Sequence, residues 1–292
     1  MKNTILFILS VFITINGFIF AQSDDCDGHE KVESYKFNTR QYKDLDISIS
    51  YGLGELTIGP SNKRDVIEGT ISYDSRRITP KIKMESVSSS GVLSIKSEKD
   101  KDKDSCKRKI KDFENELEFY FPPQIKTDLF LDFGVGDAEI DLTNIAITKL
   151  DINCGLSDVE LKINERNSVR CKSVNIENGL GDLSVYGLGN LAAEKIDINI
   201  GLGSTDIDLS GDKIYDSEIN VDVGLGSLDM VLPKKANIEI YVDASFLSSV
   251  DIYGLKQKKN KLWVSPNWES SYPTISMDVN VGMGSVDIVI ED

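Results

Sequence analysis

A short motif that begins with glycine returns at a nearly constant interval along most of this chain. In seven copies, Gly is followed by an apolar residue, then by Gly or Ser, and then by alternating apolar residues; the first glycines are Gly52, Gly134, Gly155, Gly179, Gly201, Gly224 and Gly282. An imperfect copy, FLSSVDI, begins at Phe246. From residue 134 to 246 the steps are 21, 24, 22, 23 and 22 residues. Repeats of this length are typical of solenoids, in which each copy forms one coil and neighbouring coils bury a shared core.

Within each copy the apolar residues follow the two-residue period of a β-strand with one buried face. In the copy at Gly224 they are Ile219 and Val221 before the glycine, and Leu228 and Met230 after it. The residue after the first glycine is also apolar in every copy: Leu53, Val135, Leu156, Leu180, Leu202, Leu225, Leu247 and Met283. A weaker apolar column lies ten residues before the glycine, at Ile145, Val169, Leu191 and Ile214. Each coil therefore has two strands and a shorter third side.

These patterns predict an all-β fold, a parallel β-solenoid of about eight coils with glycine at the corner between two strands. Glycine is expected there because the turn needs backbone angles that a Cβ disfavours, and because stacked corners leave little room for side chains. In the copy at Phe246, the upstream residues Ile238, Ile240 and Val242 are out of phase by one, which predicts an extra residue at that corner.

The chain divides into three parts. Residues 1–22 are predicted to be a signal peptide, with Lys2, an apolar run and then Ala21. Residues 23–128 form an N-terminal β region with the first coil and a charged loop; strands at 65–75, 79–87 and 91–98 are expected to cap the first coils. Residues 129–292 hold the other repeats, with an inserted loop at 255–273, and the acidic chain end is expected to discourage end-to-end pairing.

Charge and cysteine usage narrow the possible partners. The net charge is −15, from 48 acidic and 33 basic residues, so nucleic acid is excluded as a partner by repulsion. No other stretch is long and apolar enough to span a membrane once the signal is removed. In an exported chain, Cys26 and Cys106 are predicted to form a disulfide, whereas Cys154 and Cys171 are predicted to be buried thiols.

Two candidate sites follow from the repeats. Outward-facing carboxylates five residues after the glycine, at Asp206, Asp229, Asp251 and Asp287, are expected to stack in a column. Such a column either binds Ca²⁺, which prefers oxygen ligands, or is a solvated acidic ladder. In the inserted loop, Lys256, Lys258, Lys259, Lys261, Trp263 and Trp268 either contact a glycan or an anionic partner, or form a hairpin that folds back onto the solenoid.

No catalytic residue or organic cofactor is predicted. The sequence GLGNLA from Gly187 resembles a dinucleotide fingerprint, but a strand pattern follows it where a helix is required. The one histidine, His29, lies in a polar segment, which excludes histidine-dependent triads. The acidic column marks out no single coil, whereas glycoside-cleaving enzymes need carboxylates that converge in a cleft.

The early strand VIEGTISYDS and the corners GLGSLDM and GMGSVDI, together with the signal peptide, resemble the toastrack family of bacterial β-helical domains, which includes candidate adhesins and domains of unknown function. The resemblance implies a single-stranded right-handed β-helix and an envelope or extracellular role in binding or scaffolding, with a protein or glycan partner. We therefore expect an exported, non-catalytic module located in the periplasm, on the cell surface or outside the cell. A carbohydrate-active β-helix enzyme and an envelope-stress sensor are the alternatives.

Overall fold

The computed structural model describes residues 30–75, 78–99, 115–211 and 214–290. The predicted signal peptide, Cys26, Cys106 and most of the charged loop lie outside the described residues. The described residues form eighteen strands and one short 3₁₀ helix, Leu188–Leu191, so the all-β prediction is confirmed. The strands are β1 (Glu30–Asn38), β2 (Asp44–Leu53), β3 (Glu55–Pro60), β4 (Val66–Asp74), β5 (Ile78–Val87), β6 (Ser90–Lys99), β7 (Glu116–Phe121), β8 (Lys126–Asp141), β9 (Ala146–Lys162), β10 (Ser173–Leu180), β11 (Leu183–Tyr186), β12 (Lys195–Asp208), β13 (Ser217–Leu232), β14 (Asn237–Ala244), β15 (Ser248–Tyr253), β16 (Lys256–Lys259), β17 (Leu262–Val264) and β18 (Thr274–Ile290).

The repeats stack with their glycine corners in register. Strands β8, β9, β12, β13 and β18 run through the corner without a break, and the neighbours among them pair in parallel both before and after it. Leu202 pairs with Leu225, and Leu225 pairs with Met283. The expected parallel stacking of neighbouring copies is therefore present in both walls.

Two walls of strands follow from this pairing. The wall before the corner has the order β5–β6–β2–β8–β9–β10–β12–β13–β18–β14–β17–β16. The wall after the corner has the order β1–β4–β7–β3–β8–β9–β11–β12–β13–β18–β15.

At the C-terminal end, the order of the stack differs from the order of the chain. The last strand, β18, lies between β13 on one side and β14 and β15 on the other. The last repeat of the chain is therefore not the last of the stack, although the sequence order placed it there. The physical reason is that β18 matches β13 without a break across the corner, whereas the segment from β14 to β15 is interrupted and fits better at an end, where it needs only one parallel neighbour.

The interruption between β14 and β15 is the extra residue that the sequence predicts. Ala244 pairs with Val281, and Ser248 pairs with Gly284, so four steps along one strand lie opposite three along the other. The prediction of a bulge at this corner is confirmed. Phe246, at the bulge, is 94% exposed.

The three strands expected between Gly52 and Gly134 are present as β4, β5 and β6, and they lie at the other end of the stack. Strand β6 pairs in parallel with β2, and β5 covers β6 in antiparallel orientation. In the second wall, β7 pairs in parallel with β3, and β4 and β1 follow in antiparallel orientation. The parallel stack therefore ends in antiparallel strands on this side.

The interior is a continuous apolar column. Ile198, Val221 and Val279 face inward on three neighbouring strands and are at most 1% exposed. Cys154 and Cys171 are free and buried, as predicted. Burial raises the pKa of the Cys154 thiol to about 11 and that of the Cys171 thiol to about 12, which keeps both protonated at neutral pH.

Candidate functional site

The corner glycines are required by the close approach of neighbouring backbones. A Cβ on Gly203 would lie 1.9 Å from the carbonyl oxygen of Gly181, and the φ of Gly203 is +151°. A Cβ on Gly201 would lie 2.3 Å from the carbonyl oxygen of Gly179. Side chains are therefore excluded at these two positions of the corner.

A groove of about 900 Å³ follows this line of glycines along the outside of the stack. Its floor includes Gly134, Gly155, Gly179, Gly201, Gly224 and Gly282. Most of the polar side chains that line it lie two residues before these glycines: Asp132, Asn153, Glu177, Asn199, Asp222 and Asn280. The others are Asn178, Asp243 and Ser245. This groove was not among the predicted sites, although the glycine column and the polar column beside it are both visible in the sequence.

Carboxylates and amides on the first wall are arranged so that they pair across strands. Asn280 donates a hydrogen bond to Asp222 over 2.8 Å, and Asn220 donates one to Asp197 over 2.7 Å. Burial opposes ionisation of Asp197, but the bonds from Asn220 and Lys195 prevail and lower the pKa of this carboxyl. Alternation of Asp with Asn therefore reduces the repulsion that stacked carboxylates would otherwise create.

The predicted acidic column is present, in a different order from the chain. Asp206 pairs with Asp229, Asp229 with Asp287, and Asp287 with Asp251. All four side chains are exposed. Within the described ranges, no group of three or more acidic, histidine or cysteine side chains is placed to hold a metal ion. The calcium site therefore stays a prediction.

The same position in earlier copies is occupied by Glu139 and Glu160, which have a cation beside them. The Nζ atom of Lys162 lies 3.3 Å from Glu139, and it also contacts Glu160. Hydrogen bonds from Lys162 to these carboxylates raise the pKa of the lysine. Among the residues that the structure covers, the four aspartates of the acidic column have no Lys or Arg nitrogen within 4 Å.

The inserted loop contains a β-hairpin, formed by β16 and β17, at the end of the first wall. Strand β17 pairs with β14 in antiparallel orientation, and Ile240 lies opposite Trp263. Lys256, Lys258 and Lys259 are exposed on β16. Lys261, in the turn, has a positive φ of 64° and donates a hydrogen bond to Asp243.

The two tryptophans of the insertion have different environments. Trp263 is partly buried against the hydrophobic core, whereas Trp268 is 53% exposed. The segment after the hairpin is fixed by Asn237, which donates hydrogen bonds to the carbonyl oxygens of Glu269 and Tyr272. The structure therefore brings the four lysines and Trp263 together in one hairpin and places Trp268 in the anchored loop that follows.

The GLGNLA segment forms the 3₁₀ helix Leu188–Leu191, in which Leu188 and Leu191 are buried, and strand β12 follows four residues later. The α-helix that a dinucleotide site needs is not formed at this position.

In the described part of the chain, no helix is long and apolar enough to cross a membrane.

Comparison with known proteins identifies the family. Residues 26–186 match the family of the N-terminal domain of toast_rack, DUF2154. This match covers more than half of the chain, so the chain belongs to that family, as the corner motifs predicted. A search of curated proteins found no match.

The solved structures that match this chain share little sequence with it. A candidate cell adhesion protein from Clostridium sporogenes is 17% identical and has a TM-score of 0.45, with 90% of this chain and 100% of that chain covered. A candidate adhesin from Bacteroides fragilis is 14% identical, with a TM-score of 0.38 and 88% and 97% covered. A candidate lipid-binding protein from Parabacteroides distasonis is 11% identical, with a TM-score of 0.31 and 89% and 97% covered.

Proposed function

We propose that this chain is an exported, non-catalytic binding or scaffold module of the bacterial cell envelope. The observation that carries the proposal is the hairpin at the end of the stack, where Lys256, Lys258 and Lys259 point into solvent from a scaffold tied down by β14. Exposed cations beside an aromatic residue suit an anionic glycan or an anionic envelope protein. Export rests on the N-terminal sequence, and the solenoid of about eight coils rests on the repeat count and the parallel pairing. The right hand of the solenoid is what the resemblance to the toastrack family implies.

The distribution of the acidic residues supports a binding role over catalysis. Catalysis of glycoside cleavage needs two carboxylates that converge on one bond. Here the outward carboxylates recur at equivalent positions of successive copies, and those of the acidic column are all exposed. Among the described residues, Asp206, Asp229, Asp287 and Asp251 therefore form a uniform row, not a pair that converges on one bond.

Charge reversal on the hairpin tests this function. The variant Lys258→Glu/Lys259→Glu is compared with Lys234→Glu/Lys235→Glu, a matched reversal of two exposed lysines outside the hairpin. We expect the native chain to sediment with purified bacterial cell walls, and we expect the hairpin variant to bind about tenfold more weakly while the control stays within twofold. Equal binding by both variants would remove the hairpin as the contact site. Release of new reducing ends from the glycan would show that the chain is an enzyme instead.

We also propose that the acidic column of Asp206, Asp229, Asp287 and Asp251 takes up Ca²⁺, since stacked carboxylates repel one another by about 1 kcal/mol per pair in water. Millimolar Ca²⁺ should then raise the melting temperature of the native chain but not that of Asp229→Asn/Asp287→Asn. An unchanged melting temperature of the native chain would mean that the column is only a solvated acidic surface.

A further inference from the structure

Seven apolar side chains form one row on the outside of the corner, which we call the apolar ladder. They pair in register from one strand to the next and are 39% to 53% exposed: Leu53, Val135, Leu156, Leu180, Leu202, Leu225 and Met283. Adjacent strands are about 4.8 Å apart, so the ladder is about 29 Å long. Single exposed leucines are ordinary on protein surfaces, but a continuous row marks a contact surface.

The surface on both sides of the apolar ladder is acidic. In the seven copies, the segments from four residues before the first glycine to five after it contain no Lys or Arg, although the whole chain has 33. The same segments contain fifteen acidic residues, all at outward positions of the two-residue period: Glu55, Asp132, Asp137, Glu139, Asp151, Asp158, Glu160, Glu177, Asp182, Asp197, Asp206, Asp222, Asp229, Asp278 and Asp287. Glu139 and Glu160 lie beside Lys162, and Asp197 lies beside Lys195, whereas the other twelve have no Lys or Arg nitrogen within 4 Å among the described residues. A long apolar row is therefore bordered on either side by negative charge that is mostly unpaired.

We propose that the apolar ladder binds a basic amphipathic α-helix of a partner polypeptide. The apolar face of the helix would lie along the ladder, and its Lys and Arg side chains would reach the carboxylates on either side. Side chains on one face of a helix recur about every 5.4 Å, close to the spacing of the ladder, whereas an extended chain running along the ladder would repeat about every 6.6 Å. The length of the ladder corresponds to about 19 helical residues.

The charge of this surface argues against two other occupants. A second copy of the chain would bring an equally acidic surface against this one, and the two would repel. A bilayer of anionic lipids would be repelled by the net charge of −15. The proposal goes beyond the envelope-binding function, since it uses residues that are separate from the hairpin.

A synthetic peptide tests the proposal directly. The probe is an 18-residue peptide of Leu and Lys, with Leu at helical i, i+3, i+4 spacing, labelled with a fluorophore; the control peptide has the same composition in an order that forms no apolar face. Fluorescence anisotropy with the full chain should give at least tenfold tighter binding of the amphipathic peptide, and binding should weaken as salt screens the carboxylates. Equal binding of both peptides would contradict the proposal, because charge alone would then explain it.

Substitutions test whether the peptide binds to the apolar ladder. Leu202→Ser/Leu225→Ser should lower the affinity about tenfold, whereas Val87→Ser/Val289→Ser, which removes two similarly exposed side chains outside the ladder, should change it less than twofold. Asp206→Asn/Asp229→Asn should reduce the salt dependence while leaving the apolar ladder intact. Circular dichroism checks that each variant is folded.

Three outcomes would overturn the proposal. They are equal affinities of the ladder variant and the valine control, ladder-dependent binding to zwitterionic phosphatidylcholine vesicles without peptide binding, and ladder-dependent dimer formation without peptide binding. Sedimentation of the ladder variant with cell walls is measured in parallel. If cell-wall binding persists while peptide binding is lost, the two surfaces act separately, and failure of one proposal does not decide the other.

Discussion

At the scale of single residues, corner glycines of different copies differ in what an added Cβ would meet. Gly203 has positive φ, and a Cβ there would run into the carbonyl of Gly181 at 1.9 Å. Gly52 belongs to the same repeat position as Gly201, but it has nothing within 4 Å of an added Cβ, because the pairing of β2 with its neighbour β6 ends at Ser50, two residues earlier. Glycine is therefore required where neighbouring corners stack, and other residues fit at the first position where the stacking ends.

This difference predicts unequal effects of alanine. Gly203→Ala should lower the free energy of unfolding by about 2 kcal/mol or more, because the backbone is strained and the two strands must separate. Gly52→Ala should change it by less than about 0.5 kcal/mol. Urea unfolding followed by circular dichroism measures both. Equal losses of unfolding free energy would mean that contact between neighbouring corners does not explain why glycine occupies these positions.

At the scale of elements, the bulge between β14 and β15 follows from the same requirement. Ser245 directly follows Ala244, which pairs with Val281, so it stands where other copies have their first glycine. In those copies a Cβ would meet the neighbouring carbonyl, as between Gly282 and Gly224 at 2.4 Å. An extra residue, together with an exposed Phe246, lets the chain turn without that contact.

Deletion of Phe246 should therefore destabilise the protein, by about 2 kcal/mol, because without the extra residue the side chain of Ser245 would meet the neighbouring backbone carbonyl. Combining the deletion with Ser245→Gly should restore at least half of the loss. Thermal unfolding of the native chain, the deletion and the combination gives the comparison. If Ser245→Gly brings no recovery, another constraint creates the bulge.

The hairpin makes a separate prediction at this scale. Trp263 is packed against the core, so Trp263→Ala should cost about 2 kcal/mol, whereas Trp268→Ala should cost less than about 1 kcal/mol because Trp268 is half exposed. Chemical denaturation of the two variants checks the order. A larger loss for Trp268→Ala would show that the insertion packs differently.

The strands, the corners and the bulge could be predicted from sequence because each depends on the local alternation of apolar residues. The side of the strand on which the apolar ladder lies could not be predicted from the sequence. By the two-residue period, Leu202 should face inward with Ile198 and Ile200, but the chain turns at this corner, inward burial resumes only at Thr205, and Leu202 is 45% exposed. The disulfide between Cys26 and Cys106 stays a prediction, since both residues lie outside the described ranges.

At the scale of the whole molecule, the order in which the copies stack could not be predicted from the sequence. Every copy carries the same apolar columns, so Leu225 fits Met283 as well as Leu247, and the repeat pattern does not distinguish these neighbours. The uninterrupted match between β13 and β18 decides the order, and the hairpin insertion gives the chain the length to return. The hairpin then covers the β14 edge of the first wall.

Disulfide trapping tests the stacking of the copies most directly. With Cys26 and Cys106 replaced by Ser, Asp229→Cys/Asp287→Cys should cross-link on mild oxidation, because paired residues on adjacent strands are about 5 Å apart, within the roughly 7 Å between Cα atoms that a disulfide allows. Asp229→Cys/Asp251→Cys should not cross-link, since β18 separates these residues. Cross-linking of the second pair but not the first, measured by mass spectrometry, would contradict the in-register stack described here.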